Sequence, residues 1–344
     1  MAASKEQTKI ILIGFIAIFC CSIFTDGDKI GVNYGMLGDN LPPADQVVTL
    51  INNNNIGKTR IFAANRDALN AFANSGIDVI VGVGNEELEA ISSSQDSANG
   101  WVNNNIVPFY PATNIKYIAV GNEVLPSTQY VSYLFPAMTN IQTAVQNANL
   151  QNNIKVSTTH VMGVTNGFPP SQGVFGDDVK DTMNSILKFL SDNGAPYMAN
   201  VYPYFSYTGS GGSITLDYAL FKSTSTVVTD NGRSYTNLFD AMVDTVISAM
   251  ENLGYPNVPI VITESGWPSA GADAATVENA QSYNNNLIQH ILSNAGTPKR
   301  SGTSIETYIF ALFNENTKTG DEIERHFGLF NADQSPAYSV NFSP

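Results

Sequence analysis

The chain has 344 residues, 43% of them apolar, with 16 Lys plus Arg set against 30 Asp plus Glu for a net charge of −14. That length holds one large domain or two small ones around a substantial core, and so negative a field repels phosphate backbones, which excludes nucleic acid as a partner. Charged residues make up only 13%, against about 25% in a typical globular protein, and Asn, Ser and Thr supply much of the polar surface, which suits neutral, hydroxyl-rich ligands.

The first 28 residues read as a secretory signal. Lys5 and Lys9 precede an almost unbroken apolar run from Ile10 to Phe24, and Asp26, Gly27 and Asp28 follow, close to the expected cleavage. The run is short for a membrane span; an uncleaved anchor is the alternative. Both cysteines, Cys20 and Cys21, lie inside it. The mature protein, residues 29–344, is therefore expected to fold without disulfides. No second hydrophobic segment follows, so no membrane association is expected after cleavage. One glycosylation sequon, Asn341-Phe342-Ser343, is followed by Pro344.

Apolar runs then alternate with helical patterns. Ile30 to Gly35 opens as a strand, and Pro42-Pro43 starts a helix to about Asn53. Arg60 to Ala63 is a second strand, with a helix near Asp67 to Ser75. Asp78 to Val83 is a third, followed by helical material from Glu86 to about Val107. Ile115 to Val120 is a fourth and leads into Glu123, with a helix from Gln129 to Ala148. Lys155 to Thr159 is a fifth, before a helix from Asp178 to Asp192. Tyr197 to Tyr202 is a sixth; a polar, Gly-rich stretch and a long excursion precede the helix Thr236 to Leu253. Val258 to Thr263 is a seventh, with a helix from Thr276 to Ser293, and Thr307 to Phe313 is the eighth. Eight strands alternating with helices predict an α/β fold, a single-domain (β/α)8 TIM barrel. The alternative, an open doubly wound sheet, usually shows a Gly-rich phosphate loop after an early strand. Here the first strand ends Asn33-Tyr34-Gly35.

In such a barrel the strand C-termini open onto one face. Val120-Gly121-Asn122-Glu123 and Val261-Ile262-Thr263-Glu264 are apolar runs that end abruptly on a glutamate. Two carboxyl groups meeting there are the minimum equipment for breaking a glycosidic bond. Asn122 can hold a sugar hydroxyl beside the reacting centre, which suits Glu123 to the proton donor. Glu264, at the tighter strand end before Ser265-Gly266-Trp267, suits the nucleophile. A lone glutamate at a strand end is more often a solvated loop residue; two of them capping apolar strands are not. A third cluster, Glu315, Lys318 and Glu324, follows the eighth strand and is placed to tune the acid and bind hydroxyls, or else is a charged surface loop. Tyr34, Phe175, Tyr202, Tyr204 and Phe327 fall in loops on the same face, where rings stack on sugars, although core packing serves equally for any one of them. His160, His290 and His326 show no ligand spacing, so no metal site is expected. No Gly-x-Ser-x-Gly elbow is present, and nothing calls for a cofactor. A monomer is expected, since no helix shows an unused apolar stripe.

These residues resemble plant glycoside hydrolase family 17, the endo-1,3-β-glucanases. The likeness covers essentially the whole mature chain. It rests on Ile30-Gly31-Val32-Asn33-Tyr34-Gly35, Val120-Gly121-Asn122-Glu123, Asn200-Val201-Tyr202-Pro203-Tyr204, Val261 to Ser269, Phe313-Asn314-Glu315-Asn316 and Phe327 to Asn331. The resemblance implies retaining hydrolysis of β-glucan polysaccharide, with Glu123 as acid/base and Glu264 as nucleophile. It also implies supporting roles for Tyr34, Glu315, Lys318 and Glu324. It further implies a secreted, extracellular or cell-wall enzyme, or a vacuolar one, with a defence role against fungal wall glucan or in callose turnover. Phe62-Ala63-Ala64-Asn65 departs from a tyrosine–aspartate pair common in the family, and Val83-Gly84-Asn85-Glu86 from a proline-containing turn. Two other readings stand beside this one: hydrolysis of mixed 1,3;1,4-β-glucan, and a wall-glucan-binding defence protein that no longer catalyses.

Overall fold

A computed structural model describes residues 30–343. The proposed signal segment, 1–28, lies outside the described residues. Eight strands form a closed parallel barrel. They are β1 (Gly31–Asn33), β2 (Lys58–Ile61), β3 (Asp78–Val83), β4 (Asn114–Asn122), β5 (Lys155–Val161), β6 (Tyr197–Asn200), β7 (Ile260–Ser265) and β8 (Thr307–Ile309). Strand β1 pairs with β2 on one side and with β8 on the other, which closes the ring.

The helices that return the chain between strands bury one face each. The helix Ala44–Asn53 turns Val47, Leu50 and Ile51 inward; Lys180–Asn193 buries Met183, Ile186, Leu187 and Leu190. The long helical stretch expected from Glu86 to Val107 is divided. Leu88–Ser93 and Gln95–Asn105 are separate helices. Ser94 between them is extended, and its side chain accepts from the Ser97 N–H, capping the second helix. A serine prefers that capping role to a mid-helix position. The helices Leu238–Asn252 and Val277–Leu292 are capped the same way by Asn237 and Thr276. Strand β8 is shorter than expected. After Ile309 the backbone leaves the ladder, and Phe313 bridges instead to Phe330 in the C-terminal segment.

Side chains segregate by strand phase. Ile118 and Val120 of β4, and Ile260 and Ile262 of β7, pack outward with the helices. Ala119, Val261, Ile80, Met198 and Tyr308 fill the barrel interior, with Tyr117 against them. Each buried branched aliphatic contributes roughly 1.5–3 kcal/mol, and interiors of this kind are packed cores rather than pores. At the N-terminal mouth, Lys58 lies 3.5 Å from Glu306. The same carboxylate accepts from the Tyr308 hydroxyl at 2.7 Å and the Tyr117 hydroxyl at 3.2 Å.

Candidate active site

Strict alternation along β4 and β7 would send Asn122 and Glu264 toward the helices, in phase with Val120 and Ile262. Both strands avoid this with a bulge. The register of β4 against β5 slips between Ala119 and Asn122; that of β7 against β6 slips between Ile262 and Glu264. A bulge adds one residue and re-aims the side chains after it. In β4 the extra residue is Gly121, with φ of 71°, a conformation that glycine adopts at no steric cost. Glu123 follows at φ 52°, a left-handed conformation that costs a non-glycine residue free energy and that clusters at functional sites.

The two carboxyl groups share a cavity of about 660 Å³ at the C-terminal mouth, lined also by Tyr34, Phe62, Asn122, Tyr202, Phe205, Phe310, Glu315, Lys318, Glu324 and Phe327. Glu264 accepts from Arg60 Nη1 at 2.7 Å on Oε1 and from the Tyr202 hydroxyl at 2.7 Å on Oε2. The other guanidinium nitrogen, Arg60 Nη2, donates to Asn122 Oδ1 at 2.8 Å. Asn200 Nδ2 donates to Glu123 Oε1 at 2.8 Å, while Asn200 Oδ1 accepts from the Thr263 hydroxyl at 2.9 Å. One connected network thus orients both carboxyl groups. Their environments differ. Glu123 is pushed above the usual carboxylate range, first by burial and then by the negative charge of Glu264, against the opposing effects of the Asn200 hydrogen bond and Arg60. Tyr202 is pushed well up by burial and by Glu264, so its hydroxyl keeps the proton it donates.

Around this pair, Glu315 accepts from the Leu37 N–H at 2.7 Å. Burial raises its carboxyl, opposed by that bond and by Lys318. A side chain at position 35 would displace this carboxyl, because a Cβ there would overlap the Glu315 carboxylate oxygens. Lys318 pairs with Glu324 at 2.9 Å and sits 4.2 Å over the Phe310 ring. Phe310, Tyr202 and Phe327 meet edge to face, which builds an aromatic wall beside the carboxyl pair. A mouth with two oriented carboxyl groups of unlike environment, hydroxyl-binding side chains and an aromatic wall is equipped for acid-assisted cleavage of a sugar polymer.

Residues 30–342 match the family description Glycosyl hydrolases family 17. The chain belongs to this family. A glucan endo-1,3-beta-glucosidase of Vitis vinifera is 48% identical over 100% of this chain and 99% of its own length. The solved structure titled CJP38, a beta-1,3-glucanase and allergen of Cryptomeria japonica pollen, is 70% identical, with a TM-score of 0.90 over 92% of this chain and 99% of its own. One structure from a study of two plant beta-glucan endohydrolases with distinct substrate specificities is 40% identical, with a TM-score of 0.86 over 91% of this chain and 100% of its own.

In this family 17 glycosyl hydrolase, the fold brings together Tyr34, Asn122, Glu123, Tyr202, Glu264, Glu315, Lys318, Glu324 and Phe327. Phe175 is not among them, which corrects the expectation of a sugar contact there. It lies in a two-stranded hairpin, is 4% exposed and packs against Tyr197, so it serves the core. Tyr204 is buried against Trp267, which is itself buried and donates from its indole nitrogen to the Ala274 carbonyl. Trp267 thus anchors the loop after β7.

Sequence reasoning missed Arg60, Asn85, Asn200 and Phe310. Asn85 brackets Asn122, accepting from its N–H and donating to its carbonyl. A signal for Arg60 existed, since an arginine in an otherwise strand-like run is out of place unless it has a buried partner. Nothing in the local pattern marks Asn85 or Phe310.

Proposed function

We propose that the protein is a secreted endo-hydrolase of 1,3-β-glucosidic linkages that acts with retention. Glu123, biased toward its protonated form by burial and by its neighbour's charge, gives its proton to the glycosidic oxygen. A Glu264 oxygen bonds to the anomeric carbon as that oxygen leaves. Water, deprotonated by Glu123, then cleaves the glycosyl ester. Arg60 and Tyr202 hold the attacking carboxylate. Glu315, Lys318 and Glu324 bind hydroxyls and moderate the local charge, and Tyr34 and Phe327 flank the bound sugar. The observation that carries the reading is the sharing of one cavity by Glu123 and Glu264, each in a different hydrogen-bonding environment. The names of the relatives support the linkage; the signal-like residues 1–28 support secretion, and with it a defence role on fungal wall glucan or callose.

The test is hydrolysis of laminarin by the Glu264→Gln variant, with product anomers followed by NMR. A loss of roughly a thousandfold or more in kcat with the fold retained is expected, since the carboxylate is the bond-forming atom, and the wild type should release the β-anomer first. Undiminished turnover, or release of the α-anomer first, overturns the mechanism. Faster turnover of a mixed-linkage barley glucan than of laminarin would reassign the linkage and leave the chemistry standing.

A further inference from the structure

Glu123 sits where β4 has outrun its neighbour. The β3–β4 ladder ends at the pair Val83 and Val120, so beyond that point no strand holds β4 on the β3 side. On the other side the Glu123 N–H donates to the Thr159 carbonyl of β5 at 3.0 Å. Two residues in the left-handed region, Gly121 at φ 71° and Glu123 at φ 52°, follow Val120 closely; a non-glycine residue stays there only where its surroundings hold it. The Asn85 side chain supplies the missing hold. Its amide stands in for a peptide unit of β3: Oδ1 accepts from the Asn122 N–H at 2.8 Å and Nδ2 donates to the Asn122 carbonyl at 2.9 Å. Both backbone groups of the residue before Glu123 are thereby fixed by a side chain that does not itself line the cavity. Asn85 is held in turn. It opens the single turn Asn85–Glu87, whose Glu87 carboxylate accepts from the Gly84 N–H at 3.0 Å and from the Trp101 indole nitrogen at 3.1 Å. Trp101 is 7% exposed and belongs to the helix Gln95–Asn105.

We propose that Asn85 is a positioning residue for the proton donor. It aims Glu123 by clamping the Asn122 peptide, and Glu87 ties it to the outer helical layer through Trp101. This role rests on the reading of Glu123 as acid/base given above. Aim matters because a reacting group displaced by about 1 Å loses on the order of a hundredfold in rate. The role also has a signature that loss of folded protein lacks. A leaving group that departs without a proton has no use for a well-aimed acid, so only substrates with a poor leaving group should notice that Asn85 is gone.

The test compares laminarin with 2,4-dinitrophenyl β-laminaribioside, whose dinitrophenolate leaves unprotonated. In Asn85→Ala, kcat/KM, which covers the steps up to departure of the leaving group, should fall about thirtyfold or more on laminarin and less than about threefold on the aryl glycoside. The Asn122 N–H, followed by NMR, should exchange with solvent at least about tenfold faster, having lost its acceptor. Glu87→Ala should show the same selectivity at smaller size, about fivefold on laminarin. Adding Gly84→Pro to it should restore the rate, because proline fixes φ near the −61° that Gly84 already adopts. Thermal unfolding reports which variants are folded, and the Glu87 variants carry the test if Asn85→Ala is not. Equal losses on the two substrates, no loss, or unchanged exchange at Asn122 overturns the proposal. Glu123→Gln, assayed on the same pair, separates the two readings. If it is selective for laminarin and Asn85→Ala is not, the positioning role alone is overturned. If it loses both substrates alike, or neither, the acid/base reading is overturned, and the positioning role with it.

Discussion

Two glutamates of the same type sit in different environments because their neighbours differ. Glu264 has a cation and a phenol on its two oxygens; Glu123 has an amide, with the Glu264 charge nearby. Since that charge is the second cause of the upward shift at Glu123, its removal in Glu264→Gln should move the Glu123 titration toward lower pH. Carboxyl-carbon NMR measures this directly, and an unmoved titration would mean the two groups do not sense each other. Arg60 is 1% exposed and is bonded to both Glu264 and Asn122, on the two strands that carry the glutamates. In Arg60→Leu, Glu264 keeps its burial and loses its cation. Breaking a buried pair from one side costs about 3–5 kcal/mol. Denaturant unfolding should show that loss, and, on the proposed mechanism, turnover should fall with it because the Glu264 carboxylate is no longer held. A variant as stable and active as the wild type would rule out this positioning role.

At the scale of elements, the loops after the strands are held by specific buried groups. Ser265 and Tyr283 hydroxyls meet at 2.6 Å, and a Cβ on Gly266 would lie 2.0 Å from the Phe310 carbonyl oxygen. The backbone after β7 therefore passes the segment just after β8 at a distance only glycine permits. The helix Leu238–Asn252 carries another such group. Asp244 is fully buried and accepts from the Tyr235 hydroxyl at 2.9 Å and the Lys299 N–H at 2.8 Å. It thereby ties the hairpin Val228–Asp230/Arg233–Tyr235 and the loop before β8 to this helix. Burial pushes its carboxyl up to about 6, above the roughly 3.9 of an unfolded aspartate. The folded protein therefore binds this proton more tightly than the unfolded chain does. The penalty from Asp244 is fully present above pH 6 and is relieved as pH falls from about 6 toward 4. Two pH units of difference amount to at most about 3 kcal/mol. Asp244→Asn should flatten the pH dependence of stability in that window, as read by unfolding at pH 4.5 and 7; an identical dependence in the variant would place the linkage elsewhere.

Over the whole molecule, the barrel keeps stability and chemistry at opposite mouths. The N-terminal mouth is plugged by Lys58, Glu306, Tyr117 and Tyr308, and the C-terminal mouth holds the carboxyl pair. Glu306→Ala leaves a lysine that is 6% exposed without its partner and two phenols without an acceptor. It should cost on the order of 3 kcal/mol in unfolding free energy while turnover per folded molecule changes little, because no group at that end reaches the substrate. A large drop in kcat with stability intact would contradict this division.

Strand and helix order, the closed barrel and the two glutamates were legible in the sequence, because an apolar run of strand length followed by a polar break is a local signal and eight repeats of it have few solutions. Phe175 was misplaced for the converse reason. An aromatic after a strand reads the same whether it faces a sugar or the core, and here the hairpin pairing of Val174–Phe175 with Thr165–Asn166 turns it inward. The contributions of Asn85, Asn200 and Phe310 come from residues distant in the chain, so no local pattern carried them. The phase of the two glutamate side chains belongs to the same class. Alternation alone would have sent Glu264 to the helix side, out of any shared cavity. A register slip in β7, visible only once neighbouring strands are hydrogen-bonded, puts it in the mouth of the barrel. Sequence determines which residues can form elements and carry charge; the direction in which a side chain finally points depends on pairing between strands, and pairing is a property of the assembled fold.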